Sequence, residues 1–148
     1  HPRQLVYPPI METGGMKGRR RGLTRTELHE TLCAGLGVTK IHSEYGMTEL
    51  TSQFYDLSLG QKRSTSIKGI PPWVRVLIID PRTGGLAARG RRGMIRVIDL
   101  ANRHSCIAVQ TEDEGRLVAG GFEVLGRRKG AALRGCSLTF EEMKGLGA

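Results

Sequence analysis

Within five residues, Tyr45-Gly46-Met47-Thr48-Glu49 offer an aromatic face, a flexible backbone, a hydroxyl and a carboxylate. Such groups bind a base, a phosphate and a magnesium ion. The plainer reading is a hairpin or strand-to-helix turn whose Thr48 and Glu49 cap the next element. Further residues in chain order weigh against it. Thr111-Glu112-Asp113-Glu114-Gly115-Arg116-Leu117 places an acid at an expected strand end, and Gly126-Arg127-Arg128-Lys129 follow after one more strand. An Asp can accept both hydroxyls of a ribose, and an Arg behind it can reach ribose or phosphate.

These groups must be positioned by the elements around them. Residues 1–23 read as loop, with Pro2, Pro8 and Pro9 ahead of Thr13-Gly14-Gly15-Met16 and Arg19-Arg20-Arg21. A helix should follow. Thr24 and Glu27 make a capping box, Leu23 and Leu28 sit where a hydrophobic staple would, and Leu28, Leu32 and Leu36 share one face until Gly35 or Gly37 ends it. Lys40 to Leu50 read as a short strand running into the Gly46 turn, and residues 51–70 as a polar, Ser-rich loop closed by Pro71-Pro72. From Trp73 the pattern is β, with strands at 74–79, 94–98, 107–109, 116–118 and 122–125 and a turn at Asp80-Pro81-Arg82-Thr83-Gly84-Gly85. Short strands joined by short turns predict a small antiparallel sheet or barrel.

The chain has 148 residues, enough for one domain or a piece of one. Lys+Arg 23 against Asp+Glu 14 gives a net charge of +9, so a partner recognised by charge should be an anion. A non-catalytic basic module binding RNA or another polyanion is therefore the rival reading. The runs at Arg19 to Arg21, Arg89 to Arg92 and Arg127 to Lys129 could track phosphates, but aromatic residues are 5% of the chain and none interleave with these runs. That weakens a nucleic-acid platform. Cys33, Cys106 and Cys136 never form Cys-x-x-Cys, which argues against a disulfide framework or zinc ribbon and for a reducing compartment, the cytoplasm. His29 and Cys33, one helical turn apart, mimic a metal-ligand pair, although packing is the plainer reading. No apolar run approaches the ~20 residues of a membrane span. His1 in place of an initiator Met suggests that the chain starts inside a longer protein.

Taken together, the motifs resemble those of the adenylate-forming enzymes, the superfamily of acyl-CoA synthetases, luciferases and peptide-synthetase adenylation domains. Thr13-Gly14-Gly15-Met16 is similar to the Gly-Gly segment at the acyl and adenine pocket, and Tyr45-Gly46-Met47-Thr48-Glu49 to the Tyr-Gly-x-Thr-Glu motif. Thr111-Glu112-Asp113 falls where Thr-Gly-Asp belongs, and Gly126-Arg127 where the Gly-Arg of the hinge belongs. Ile98-Asp99-Leu100-Ala101-Asn102 is similar to the phenylacetate-CoA ligase branch and to the acyl-protein synthetase of the bacterial luminescence fatty-acid reductase complex, and Arg134-Gly135-Cys136 is similar to a segment near the end of that last family.

The resemblance implies an α/β (α+β) fold: residues 1–72 would end an adenylation subdomain, 73–130 form a small antiparallel β subdomain up to the hinge, and 131–148 a tail. It implies ATP as substrate with magnesium, Gly14, Gly15 and Gly46 in the nucleotide pocket, Tyr45 against adenine and Thr48 on the α-phosphate. Glu49 would hold magnesium, Asp113 the ribose, Arg127 would lie behind it, and Lys129 would stand where related enzymes hinge a lid. A carboxylic or fatty acid would become acyl-AMP and pass to a thiol: Cys136, coenzyme A or an acyl-CoA reductase subunit. Cationic neighbours would favour the Cys136 thiolate; a small buried tail residue is its plainer reading. Two departures stand out. The Gly-rich Ser/Thr phosphate loop and the later adenylation lysine are not within these residues, so the chain alone should be inactive, and Glu112 replaces a Gly.

Overall fold

The alternation Val74-Arg75-Val76-Leu77-Ile78 puts every second side chain on one face, and an apolar row on a strand must be covered by another layer. In the computed structural model, residues 10–13, 25–57 and 66–128 are described. The elements in order are β1 (Ile10–Glu12), α1 (Arg25–Leu36), β2 (Ile41–Tyr45), β3 (Phe54–Tyr55), β4 (Ile67–Gly69), β5 (Val74–Ile79), β6 (Gly93–Asp99), β7 (Ala108–Val118) and β8 (Gly121–Arg127). They form two sheets, one ordered β1-β2-β3 and one ordered β4-β8-β7-β6-β5.

In the first sheet β1 runs parallel to β2, with α1 between them in the chain, and β3 pairs antiparallel. The second sheet is antiparallel throughout, its four longer strands joined in sequence order as a meander. The two sheets are tied where Asp56 bridges Lys68 and the Leu57 N–H donates to the Ile67 carbonyl at 2.9 Å. Phe54 of β3 packs into the second sheet's apolar face with Leu50, Val74, Val76, Ile78, Ile95, Val97 and Phe122. Phe54 and Phe122 meet edge to face at 5.1 Å.

Several expectations are met closely: the helix, the strand before Gly46, the β5 run and the Asp80 to Gly85 turn, where the Asp80 N–H donates to the Gly85 carbonyl at 2.9 Å. Others are corrected. The loop expected over residues 51–70 contains β3 and β4, so the second sheet reaches back across the Pro71-Pro72 break to Ile67. The segments expected as separate strands at 107–109 and 116–118 are one strand, β7, of 11 residues. A β-bulge between Glu114 and Gly115 absorbs the irregularity and lets pairing with β8 continue on both sides. Asp113 therefore lies inside a strand, not at its end. On α1, Leu28 and Leu32 are half-buried while Leu36 is exposed, because this polar helix sets no residue deep in the core.

Candidate functional site

Tyr45 is the last residue of β2, and its half-buried ring rests against Phe54 at 6.0 Å and edge-on to Phe122 at 5.9 Å. Those contacts aim the phenol across to the other sheet, where its hydroxyl donates to Asp113 Oδ2 at 2.9 Å. Period-two alternation along β7 explains why Asp113 is there: Thr111, Asp113 and Gly115 share the covered face, while Gln110, Glu112 and Arg116 face solvent. The Thr111 hydroxyl donates to the Ile95 carbonyl at 2.8 Å and lies 3.2 Å from the Asp113 N–H that donates to it, so the carboxylate stands on a pinned backbone. Arg127 is directly opposite Asp113 on β8, with Nε 4.0 Å from Asp113 Oδ1 and Nη2 3.7 Å from Glu112 Oε2. Gly126 precedes it with φ of 121°, a conformation that side chains resist and glycine accepts. Residues 68 positions apart in sequence thus meet in one corner.

The electrostatics of that corner keep the phenol neutral. Burial raises the Tyr45 pKa well above its ordinary 10.0, and the Asp113 charge adds to the rise. Tyr45 is therefore a permanent donor to Asp113. Glu112 puts its carboxylate on the solvent side of β7, where it shares the Arg127 guanidinium.

Thr48 and Glu49 lie on the exposed turn that follows Tyr45. The Leu50 N–H closes the turn on the Met47 carbonyl at 3.1 Å, and the Thr48 hydroxyl reaches Glu49 Oε2 at 3.4 Å. A Cβ on Gly46 would meet the Gln53 carboxamide, the far end of a flexible side chain that would have to move aside. The structure thus joins Tyr45, Asp113 and Arg127, and places Gly46, Thr48 and Glu49 on the adjoining turn. Gly14, Gly15, Lys129, Cys136 and the whole 131–148 tail fall outside the described residues.

Several important side chains escaped the sequence reading. Lys68 is fully buried in β4, and its Nζ donates to Asp56 Oδ1 at 2.7 Å, to the Ser43 hydroxyl at 2.6 Å and to the Ser43 carbonyl at 2.7 Å. Asp56 Oδ2 accepts the Ser43 N–H at 2.7 Å, which completes the network under Tyr45's strand. Burial lowers the Lys68 pKa while Asp56 pulls it upward. The only signal available was a Lys between Ile67 and Gly69 where an apolar residue would suit a strand. Asp99 and Asn102, whose side chains carry no distinct signal within the Ile98 to Asn102 segment, are both buried and bond to the Thr48-Glu49 turn and its flank.

A cleft of about 650 Å³ beside α1 is lined by Arg25, His29, Cys33, Lys40 and Asp56 among others. His29 Nε2 lies 3.2 Å from Glu12 Oε1, a strand-to-helix contact that gives the histidine a packing role. Among the described residues no group of three His, Cys, Asp or Glu could hold a metal ion, and Cys33 and Cys106 are free thiols. No helix among them is long and apolar enough to cross a membrane.

No protein-family model matches the chain. In sequence it is 26% identical over 145 residues to the long-chain-fatty-acid–luciferin-component ligase of Vibrio harveyi, covering 90% of this chain and 36% of that protein. In structure it superposes on apo MatB of Rhodopseudomonas palustris with a TM-score of 0.56 at 22% identity, over 82% of this chain and 26% of the other. MatB with ATP bound gives a TM-score of 0.51 at 26% identity, over 67% and 22%. The fold is that of the C-terminal subdomain of adenylate-forming enzymes. By name the Vibrio relative is a ligase that acts on a long-chain fatty acid, and ATP is bound in one of the MatB structures. This chain spans about a third of the length of the Vibrio relative, and it carries the mixed α+β portion in which an antiparallel sheet follows the Tyr45 strand.

Proposed function

We propose that this chain is the nucleotide-binding part of an ATP-dependent ligase that adenylates a carboxylic acid, a fatty acid by likeness to the Vibrio relative, and transfers the acyl group to a thiol. The observation that carries the proposal is the corner of Tyr45, Asp113 and Arg127, assembled from three strands of two sheets. In the reaction a carboxylate oxygen attacks the α-phosphorus of ATP, the bond to the bridging oxygen breaks and pyrophosphate leaves. A thiolate then attacks the acyl carbon and AMP leaves.

For such a displacement a protein mainly supplies position and charge compensation. Asp113, steadied by the Tyr45 hydroxyl, keeps lone pairs for the two ribose hydroxyls, and Arg127 supplies a cation beside them. The Tyr45 ring would flank adenine, with Gly14 and Gly15 allowing close backbone approach and Gly46 opening the turn that follows the ring. The Thr48 hydroxyl would donate to the α-phosphate. Glu49 fits a magnesium ligand: its carboxylate is exposed and lightly engaged, by Thr48 at 3.4 Å, and magnesium is commonly held by one or two carboxylates plus phosphate oxygens. The ion, when bound, would neutralise phosphate charge. Lys129 would serve the hinge that follows Arg127. A reducing cytoplasm suits the free thiols.

The test is carboxylate-dependent exchange of pyrophosphate into ATP by the complete gene product that contains this chain. Asp113→Ala should raise the ATP requirement at least tenfold, because hydrogen bonds to a charged group are worth ~1.5 to 3 kcal/mol. Unchanged exchange kinetics would overturn the assignment. For the acceptor we favour Cys136: labelled fatty acid and ATP should mark the protein through a hydroxylamine-sensitive thioester, and Cys136→Ser should abolish the mark while adenylate still forms. Labelling that survives Cys136→Ser, or turnover that needs coenzyme A and never marks the protein, would move the acceptor to coenzyme A; a mark found only on an added acyl-CoA reductase would move it to that partner.

A further inference from the structure

The Thr48-Glu49 turn projects from the end of β2 and is exposed, and the local contact on its carboxylate is the long one from the Thr48 hydroxyl at 3.4 Å. What grips it comes from the far end of β6. Asp99 has a fully buried carboxylate whose Oδ2 accepts the Ser52 N–H at 2.8 Å, while Oδ1 accepts the Ser52 hydroxyl at 2.9 Å and the Ala101 N–H at 3.0 Å. Asn102 donates from Nδ2 to the Glu49 carbonyl at 2.7 Å and to the Cys106 carbonyl at 2.8 Å, and its Oδ1 accepts the Thr51 hydroxyl at 3.2 Å. Two side chains about 50 positions away thus hold Glu49, Thr51 and Ser52 in turn.

Burying a carboxylate and a carboxamide is costly unless their polar atoms are bonded. Here the bonds to Glu49, Thr51 and Ser52 fall on one short stretch of backbone and its hydroxyls, and the other two go to Ala101 and Cys106. Fixing the Glu49 carbonyl on one side, with buried Leu50 plugged into the core on the other, removes the backbone freedom that would let the Glu49 side chain wander. We propose that Asp99 and Asn102 are positioning residues for the Thr48-Glu49 pair, presenting hydroxyl and carboxylate in one geometry to a magnesium-bound polyphosphate. The proposal rests on the adenylating reading and assigns a role to the Asp99-Leu100-Ala101-Asn102 segment.

The experiment is a magnesium titration of the complete gene product, read both by carboxylate-dependent pyrophosphate exchange and by equilibrium binding of ATP without the carboxylic acid, for the parent, Asn102→Ala, Asn102→Asp, Glu49→Gln and the Asn102→Ala/Glu49→Gln pair. Removing an outer partner of a metal ligand costs on the order of ten- to a hundredfold in metal affinity. Asn102→Ala and the near-isosteric Asn102→Asp, which loses the donor to Glu49, should each raise the magnesium midpoint about tenfold and leave the KM for the carboxylic acid unchanged. In the Glu49→Gln background Asn102→Ala should add no further shift, since neighbours that act through one another are non-additive. A lower rate at an unchanged magnesium midpoint, or a shift that adds fully to that of Glu49→Gln, would reduce Asn102 to a folding role and overturn the proposal. If Asn102→Ala fails to fold, Asn102→Asp carries the same comparison. Absence of exchange in the parent itself would overturn the adenylating reading first, and this proposal with it.

Discussion

Replacing Tyr45 with Phe removes one hydroxyl and leaves the ring contacts to Phe54 and Phe122 in place. Asp113 would then lose the donor that holds Oδ2, and its carboxylate would be free to rotate about the pinned strand. The bond is to a charged acceptor in a partly buried place, so its loss should cost about 1 to 2 kcal/mol. That predicts a roughly tenfold rise in the ATP concentration needed for exchange, with little change in dependence on the carboxylic acid. A parallel ATP and acid titration of Tyr45→Phe checks it. An unaltered ATP requirement would mean that the hydroxyl serves folding alone. Glu112 matters less, because its pairing with Arg127 is solvent-exposed and such pairs are worth ~0 to 1 kcal/mol.

The join between the sheets depends on Lys68. With three acceptors around a fully buried ammonium, removing the Lys leaves the Asp56 charge stranded in the interior. Lys68→Met should therefore destabilise the chain by about 3 to 5 kcal/mol, while Lys68→Met combined with Asp56→Leu should recover much of that loss. Urea unfolding of the two variants measures the difference; equal losses would mean that the ion pair is not the source. No residue pattern announced this network, because Ser43, Asp56 and Lys68 look like ordinary surface residues in a one-dimensional reading. The elements that were legible carried strong local signals: Val74 to Ile79 is apolar and mostly β-branched apart from Arg75, and Tyr45-Gly46-Met47-Thr48-Glu49 is dense in chemistry over a short span. What escaped was set by pairing across the chain. β3 and β4 are too short and too polar to show periodicity, and β7 hid behind Glu112, Asp113 and Glu114, whose charges suggest a turn until β6 and β8 pair on either side. For the same reason Tyr45, Asp113 and Arg127 were legible as residue types in order, and the bonds of Asp99 and Asn102 to the Glu49 to Ser52 stretch, like the Lys68 network, were not.

Across the whole molecule, two buried groups make stability depend on pH in separate windows. Burial, reinforced by the Lys40 charge, lowers the His42 pKa below its ordinary 6.5, so the unfolded chain takes up that proton first and stability falls as the pH drops below 6.5. Burial alone would raise the Asp99 pKa, but the hydrogen bonds from Ser52 and Ala101 outweigh it and hold the carboxyl below 3.8. A depressed carboxyl pKa contributes stability above the unfolded value of 3.8, and that stability is lost as the pH falls through the folded value. Thermal unfolding followed downward from neutral pH should therefore decline in two stages, with His42→Asn flattening the first and Asp99→Asn the second. A single decline confined to the lower window would remove His42 from the account. The same region offers a spectroscopic handle. Trp73 is the chain's one tryptophan, and its half-exposed indole donates through Nε1 to the Ser52 hydroxyl at 2.9 Å. Its intrinsic emission therefore comes from the seam where the turn docks on the second sheet, and release of that turn changes the indole's surroundings directly. The proposed binding of a ligand at the turn should therefore be visible as an emission shift in the unlabelled protein.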